Sequence, residues 1–245
     1  MRNYILILVF LGLPSTLVSA QDYLFAGDRF PLLIEKNESR ITGLGVEVTQ
    51  QVMAQLGLNA RFEILPWKRL LHMAREGSVD GVIGVYHTSR REAYMRFVEP
   101  PIYVDDVMLF ARKDLDFSWK GDFRDLQGKR IAVVRGWSNG EVFDKQSKSL
   151  RINELESLDA ALRAVGKGHY DLAVGNIRNA RTVFERRNLN NVVEAIEPPI
   201  ATLGVYITLS SRGRLHNHVD AFAQALGQLN DSGELKRLQQ AYGLH

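Results

Sequence analysis

The chain has no cysteine among its 245 residues, which excludes disulfides, thiolate nucleophiles and thiolate metal sites. The same absence removes the cysteine through which an exported protein could carry a lipid anchor. After residue 20 no segment offers the roughly 20 apolar residues that a membrane-spanning helix needs. No G-x-x-x-x-G-K follows any expected strand, so a phosphate-binding loop is missing. The six histidines form no ligand constellation, His216 and His218 being two apart with no third ligand in evident reach. No metal and no cofactor are therefore expected. Net charge is only +3, and arginine and lysine are interleaved with aspartate and glutamate, which argues against a nucleic-acid partner.

What is present is an ordinary globular composition, 45% apolar and 24% charged, long enough for one large core or two small ones. The N-terminus begins Met1-Arg2-Asn3, runs apolar from Tyr4 to Leu13, breaks at Pro14 and reaches Val18-Ser19-Ala20. That is the pattern of a secretory signal peptide over residues 1–20. An exported protein without a lipid anchor is retained only behind an outer membrane, so the expected compartment is the periplasm, and the expected form is a monomer.

Helical and strand periodicities alternate along the chain, which predicts an α/β fold with parallel strands. Strands are expected at Tyr23–Ala26, Arg61–Leu65 and Val79–Val85. Between them lie a helix carrying Val46, Val52 and Leu56, stopped by Gly57, and a second opened by Pro66 and ended by Gly77. Strand-like Asp106–Ala111 leads into a polar stretch over Arg112–Lys129. A second α/β unit follows, with strands Arg130–Val134, Leu150–Leu155, Tyr170–Val174 and Asn191–Ala195. Its helices are expected from Ser138, after Ser157 as cap, and over Ile177–Arg187, whose four arginines are expected on a wet face. Pro198-Pro199 marks a boundary before strand Gly204–Leu209 and two terminal helices, Leu215–Leu229 and Glu234–Tyr242. The expected division is residues 21–111 as the first part of lobe 1, 112–199 as lobe 2, and 200–245 returning to lobe 1. Crossings near Ala111 and Ile200 then make a hinge between two α/β sheets.

Open parallel sheets bind ligands beyond the carboxyl ends of their strands. Asp28 and Phe30 follow the first strand, Trp67 the second, and Tyr86, Thr88 and Arg91 the third. In the second unit the same places hold Trp137, Ser138 and Asn139, and then Asn176. Arg91 is the first candidate, because a guanidinium pairs with a carboxylate through two bonds and keeps its charge. Gly136-Trp137-Ser138-Asn139-Gly140 also fits G-x-S-x-G, so a serine hydrolase using Ser138 with Asp171 and His216 or His218 is an alternative. A Ser138–Glu141 capping box is the plainer explanation of that serine.

Several pieces resemble the periplasmic solute-binding proteins that include the amino-acid receptors of ABC importers. They are Gly43-Leu44-Gly45-Val46-Glu47-Val48, Gly77-x-x-Asp80-Gly81, Thr88-Ser89-Arg90-Arg91 and Pro100-Pro101-Ile102-Tyr103. Leu126-x-Gly128-Lys129-Arg130-Ile131 and Ser232-Gly233-Glu234-Leu235 complete the set. The resemblance covers Asp22 to Gly243 and implies a two-lobed fold of type II that closes on a small polar, carboxylate-bearing solute. It implies Arg91 on the carboxylate, Phe30 over the ligand side chain, and Ser138 and Asn139 closing from the second lobe. Amino-acid receptors carry an aspartate where this chain has Asn176, a departure that bears on the ligand's amino group rather than on the fold. The implied partner is an inner-membrane ABC permease, or alternatively a membrane sensor. Some relatives of this fold resemble cyclohexadienyl dehydratases, for which Asp28 or Glu141 would have to supply the acid.

Overall fold

A computed structural model describes residues 22–244; the expected signal peptide lies outside them. The first unit runs β1 (Tyr23–Gly27), a hairpin of β2 (Glu35–Asn37) and β3 (Arg40–Thr42), α1 (Leu44–Gln55), β4 (Ala60–Ile64), α2 (Trp67–Glu76) and β5 (Gly81–Tyr86). Then come α3 (Ser89–Glu92), β6 (Met95–Phe97) and the long β7 (Tyr103–Arg112). The second unit holds β8 (Arg130–Val134), α4 (Glu141–Gln146), β9 (Arg151–Leu155), α5 (Leu158–Gly166), β10 (Leu172–Asn176) and α6 (Ile177–Arg187). The chain returns along the 18-residue β11 (Val193–Ser210) and ends in α7 (Val219–Asp231) and α8 (Glu234–Ala241).

The local signals act as their chemistry requires. Gly77 ends α2 at φ +78°, a left-handed conformation that glycine adopts without steric cost. Ser157 Oγ accepts the Ala160 N–H at 3.2 Å and so caps α5. The Ser138–Glu141 capping box is not formed. Gly140, at φ +99°, makes the turn into α4, which starts at Glu141, so Ser138 stands too far upstream to cap it.

Strand order in the main sheet is β4-β1-β5-β11-β7-β10-β8-β9, with β6 on β11. β1 pairs in parallel with β4 and β5, and β8 pairs in parallel with β9 and β10, giving the α/β core of each lobe. The two crossing strands, β7 and β11, are antiparallel to each other and pair from Val193↔Arg112 to Val205↔Tyr103, so the ladder spans both lobes, interrupted between Ile196 and Ala201. The expected strands at Asn191–Ala195 and Gly204–Leu209 are therefore one. Pro198-Pro199 does not end the strand, because the prolines fall where the register slips between Ile196 and Ala201 and no ladder N–H is demanded of them.

Apolar side chains gather in three clusters. The largest joins Phe25, Leu70 and Ile83 to Phe222 and Leu238 of the two terminal helices. The other two lie around β8 and β10, one with Phe110 and Leu162, the other with Phe143 and Trp119. Burial of the α5 stripe Leu158, Ala161, Leu162 and Val165 shows the helical period at work.

Candidate functional site

The carboxyl ends of the parallel strands of both lobes face a common gap, and the turns that leave them supply its walls. Phe30, after β1, meets Trp67 and Trp137 edge to face, with ring centroids 5.7 and 5.8 Å apart. Phe30 can lie flat against β5 because Gly84 leaves room there. A Cβ on Gly84 would stand 2.7 Å from the ring, and its φ of +86° suits glycine alone. Trp67 opens α2 and its Nε1 donates across the gap to the Gly136 carbonyl at 3.0 Å.

Arg91, on the single turn α3, is buried at 5% exposure. Its Nη1 donates to the Tyr86 carbonyl at 2.7 Å, and its Cζ stands 5.2 Å from the centre of the Trp67 ring. Burial pulls its pKa below the ordinary value, Arg90 adds to that, and Tyr94 and Asp144 oppose it. The guanidinium stays charged, and it takes part in no ion pair among the described residues. Thr88 stands half-buried at the head of α3, where its carbonyl accepts the Arg91 N–H at 2.8 Å.

From the second lobe, Ser138 Oγ donates to Asp144 Oδ2 at 2.6 Å and the Asn139 N–H donates to Asp144 Oδ1 at 3.1 Å. Asn176 caps α6, its Oδ1 accepting the Asn179 N–H at 2.9 Å. Phe30, Trp67, Tyr86, Arg91, Ser138 and Asn176 line one cavity of about 20 Å³, joined there by Trp137. That is room for about one water molecule.

Asn139 and Thr88 stand beside this cavity rather than on its wall. Asp28 faces a larger groove of about 590 Å³ that shares Trp67 and Trp137 with it. Burial raises the Asp28 pKa, and the backbone N–H groups of Arg29 and Trp67 resist the rise. The hydrolase triad is not assembled. Ser138 is bound to Asp144, Asp171 is held by Arg130 at 2.7 Å, and His216 Nδ1 is bonded to the Gly213 carbonyl at 2.9 Å. Glu141 is exposed and pairs with Lys145 at 3.6 Å.

Two lining residues are absent from the sequence expectation, Gly84 and Arg178. Arg178 was expected on the wet face of α6, and that holds for Arg181, Arg186 and Arg187, which are exposed. Arg178 instead points inward at 5% exposure. Its Nε and Nη2 bond Asp105 Oδ1 and Oδ2 at 3.0 and 2.8 Å, and its Nη1 reaches the Pro31 carbonyl across the gap at 2.7 Å. Tyr86 Oη donates to the same Asp105 carboxylate at 2.8 Å. Burial, and then the Asp105 charge, push the Tyr86 phenol well above its ordinary range. Asp105 lies 73 residues from Arg178, so no local pattern links the two.

Comparison with known proteins places this geometry. The Bacillus subtilis protein described as "Probable amino-acid-binding protein YxeM" is 23% identical over 224 residues, covering 88% of this chain and 81% of that one. A histidine kinase sensor domain similar to periplasmic binding proteins superposes with a TM-score of 0.80 at 20% identity, covering 91% of this chain and 96% of that one. The arginine-, lysine-, histidine-binding protein ArtJ of Geobacillus stearothermophilus gives 0.75 at 19% identity, covering 91% and 95%. At such identities the solved structures speak for the two-lobed fold. The family model of the bacterial extracellular solute-binding proteins, family 3, matches residues 24–245, essentially the whole described chain, and the protein belongs to that family.

Proposed function

We propose that this protein is exported to the periplasm, closes its two lobes on a small carboxylate-bearing solute and delivers it to an ABC-type permease. One observation carries the proposal. Arg91 is a buried cation with no ionic partner among the described residues, set in the wall of a cavity to which both lobes contribute. A buried charge is costly unless paired, and an anionic solute would supply the partner. Phe30, Trp67 and Trp137 would cover its apolar part. Tyr86, Thr88 and Asp28 would contribute from the first lobe, and Ser138, Asn139 and Asn176 from the second.

A cavity of about 20 Å³ admits no such solute without opening, so the lobes would have to part and close again. The crossing strands β7 and β11 are the natural hinge, with lobe 2 spanning residues 112–199. The bonds Trp67–Gly136 and Arg178–Pro31 belong to the closed arrangement and would have to break as it opens.

Thermal-shift measurements on the purified protein test this. A small carboxylate at 100 times its dissociation constant should add about 2.7 kcal/mol, whereas the corresponding neutral amide should add nothing. Equal stabilisation by acid and amide would contradict the proposal.

A further inference from the structure

The polar groups around the cavity present hydrogen-bond donors almost exclusively. Of the five N–H groups of Arg178, four are committed, two to Asp105, one to Pro31 and one to Asn179. The fifth, on Nη2, has no partner among the described residues, and Arg178 lines the cavity. Asn176 has its carbonyl oxygen turned to the Asn179 N–H, and its NH₂, which is shared with the Tyr86 hydroxyl, is the group it presents to a solute. The Arg91 guanidinium makes a single bond within the protein among the described residues, to the Tyr86 carbonyl.

Two of the three acids near the site are occupied. Asp105 is fully buried and holds three bonds, from Arg178 and Tyr86. Asp144 lies behind Ser138 and uses both oxygens on Ser138 and Asn139. Asp28, the third, is bonded only by backbone N–H groups among the described residues, but it faces the neighbouring groove rather than the cavity. The Trp67 ring already has the Arg91 guanidinium beside it. Ser138 Oγ, whose proton points to Asp144, is left as a neutral acceptor. Freeing Asp105 would require breaking a buried ion pair and leaving Arg178 uncompensated.

An ammonium placed here would meet two guanidinium groups and an amide NH₂, with no carboxylate on the cavity wall among the described residues to receive it. We infer that the cavity selects a small carboxylate lacking a free ammonium group, and that Arg178 and Asn176 set this choice. The inference rests on the proposed anion site at Arg91 and names its substrate class. A 2-oxo acid has the required pattern, a carboxylate for Arg91 and a neutral carbonyl oxygen to accept from Asn176 and Arg178.

Calorimetric titration of the purified protein with matched pairs tests this, using pyruvate and alanine, oxaloacetate and aspartate, and 2-oxoglutarate and glutamate. In at least one pair the 2-oxo acid should bind about tenfold or more tightly than the amino acid, since a buried polar group left unpaired discriminates strongly. Asn176→Asp retains the helix cap, because aspartate caps as well as asparagine. It should narrow or reverse the preference by at least about tenfold. Tighter binding of the amino acid, lost in Arg91→Ala, overturns this inference while leaving the anion site in place. An unchanged preference in a folded Asn176→Asp protein overturns it too. Binding of no member of any pair overturns both the inference and the proposed function.

Discussion

Trp67 and Gly136 stand on opposite walls of the gap and are joined by one hydrogen bond, from the indole Nε1 to the glycine carbonyl at 3.0 Å. The bond sits at the boundary between the small cavity and the larger groove, since Trp67 lines both. With the Arg178–Pro31 contact, it is one of two polar ties that the proposed opening of the lobes would have to break.

Trp67→Phe keeps an aromatic ring against Phe30 but deletes the Nε1 donor. The closed form should lose about 0.5–1.5 kcal/mol, the net value of one such bond. Small-angle scattering without solute should then give a larger radius of gyration than for the unaltered protein, and solute affinity should fall several-fold. An unchanged radius would show that this bond does not hold the lobes.

The Arg178–Asp105 pair has almost no solvent exposure, 4% and 0% for the two side chains. Arg178→Met should lower stability by about 3–5 kcal/mol in urea unfolding, because it leaves a buried carboxylate without its partner. Adding Asp105→Leu should recover most of the loss, since replacing both members of a buried pair by apolar groups is often neutral. A small loss in the single variant would mean that Asp105 finds water on its own.

Asp159 lies at the start of α5, where Arg163, Arg186 and Arg187 all bond its carboxylate at 2.7–2.8 Å. Partial burial acts to raise its pKa, but the three guanidinium groups outweigh it and hold the value at about 2, against 3.8 for the free group. A depressed carboxylate adds stability that is full above the unfolded pKa and is lost as pH falls through the folded one. Tm should therefore drop between about pH 4 and pH 2, and Asp159→Asn should flatten that slope. Parallel pH profiles for the two proteins would count against the cluster.

The parts of the fold legible in the sequence are those fixed by local chemistry. Arg130–Val134 and Ile177–Arg187 match the observed strand and helix to the residue, and Ser157 caps the helix it was assigned. Turns after the strands also brought Phe30, Trp67, Tyr86, Arg91, Trp137, Ser138 and Asn176 into one cavity, because strand ends in parallel sheets converge on one edge. The short hairpin of β2 and β3 escaped notice, since its three-residue strands are polar and largely exposed. β11 read as two strands because prolines normally end pairing, whereas here a register slip absorbs them. Arg178 was hidden by its neighbours. It lies among arginines that do face solvent, and its partner Asp105 comes from a strand in another part of the chain.

The central claim, that the positive charge of Arg91 holds an anionic solute between the lobes, is tested most directly by calorimetry of the unaltered and Arg91→Ala proteins. The titrant is the carboxylate that gives the largest thermal shift. The expected result is a loss of about 1.5–3 kcal/mol, ten- to a hundredfold in Kd, with near-normal stability in urea. Equal affinity in the two proteins would contradict the claim.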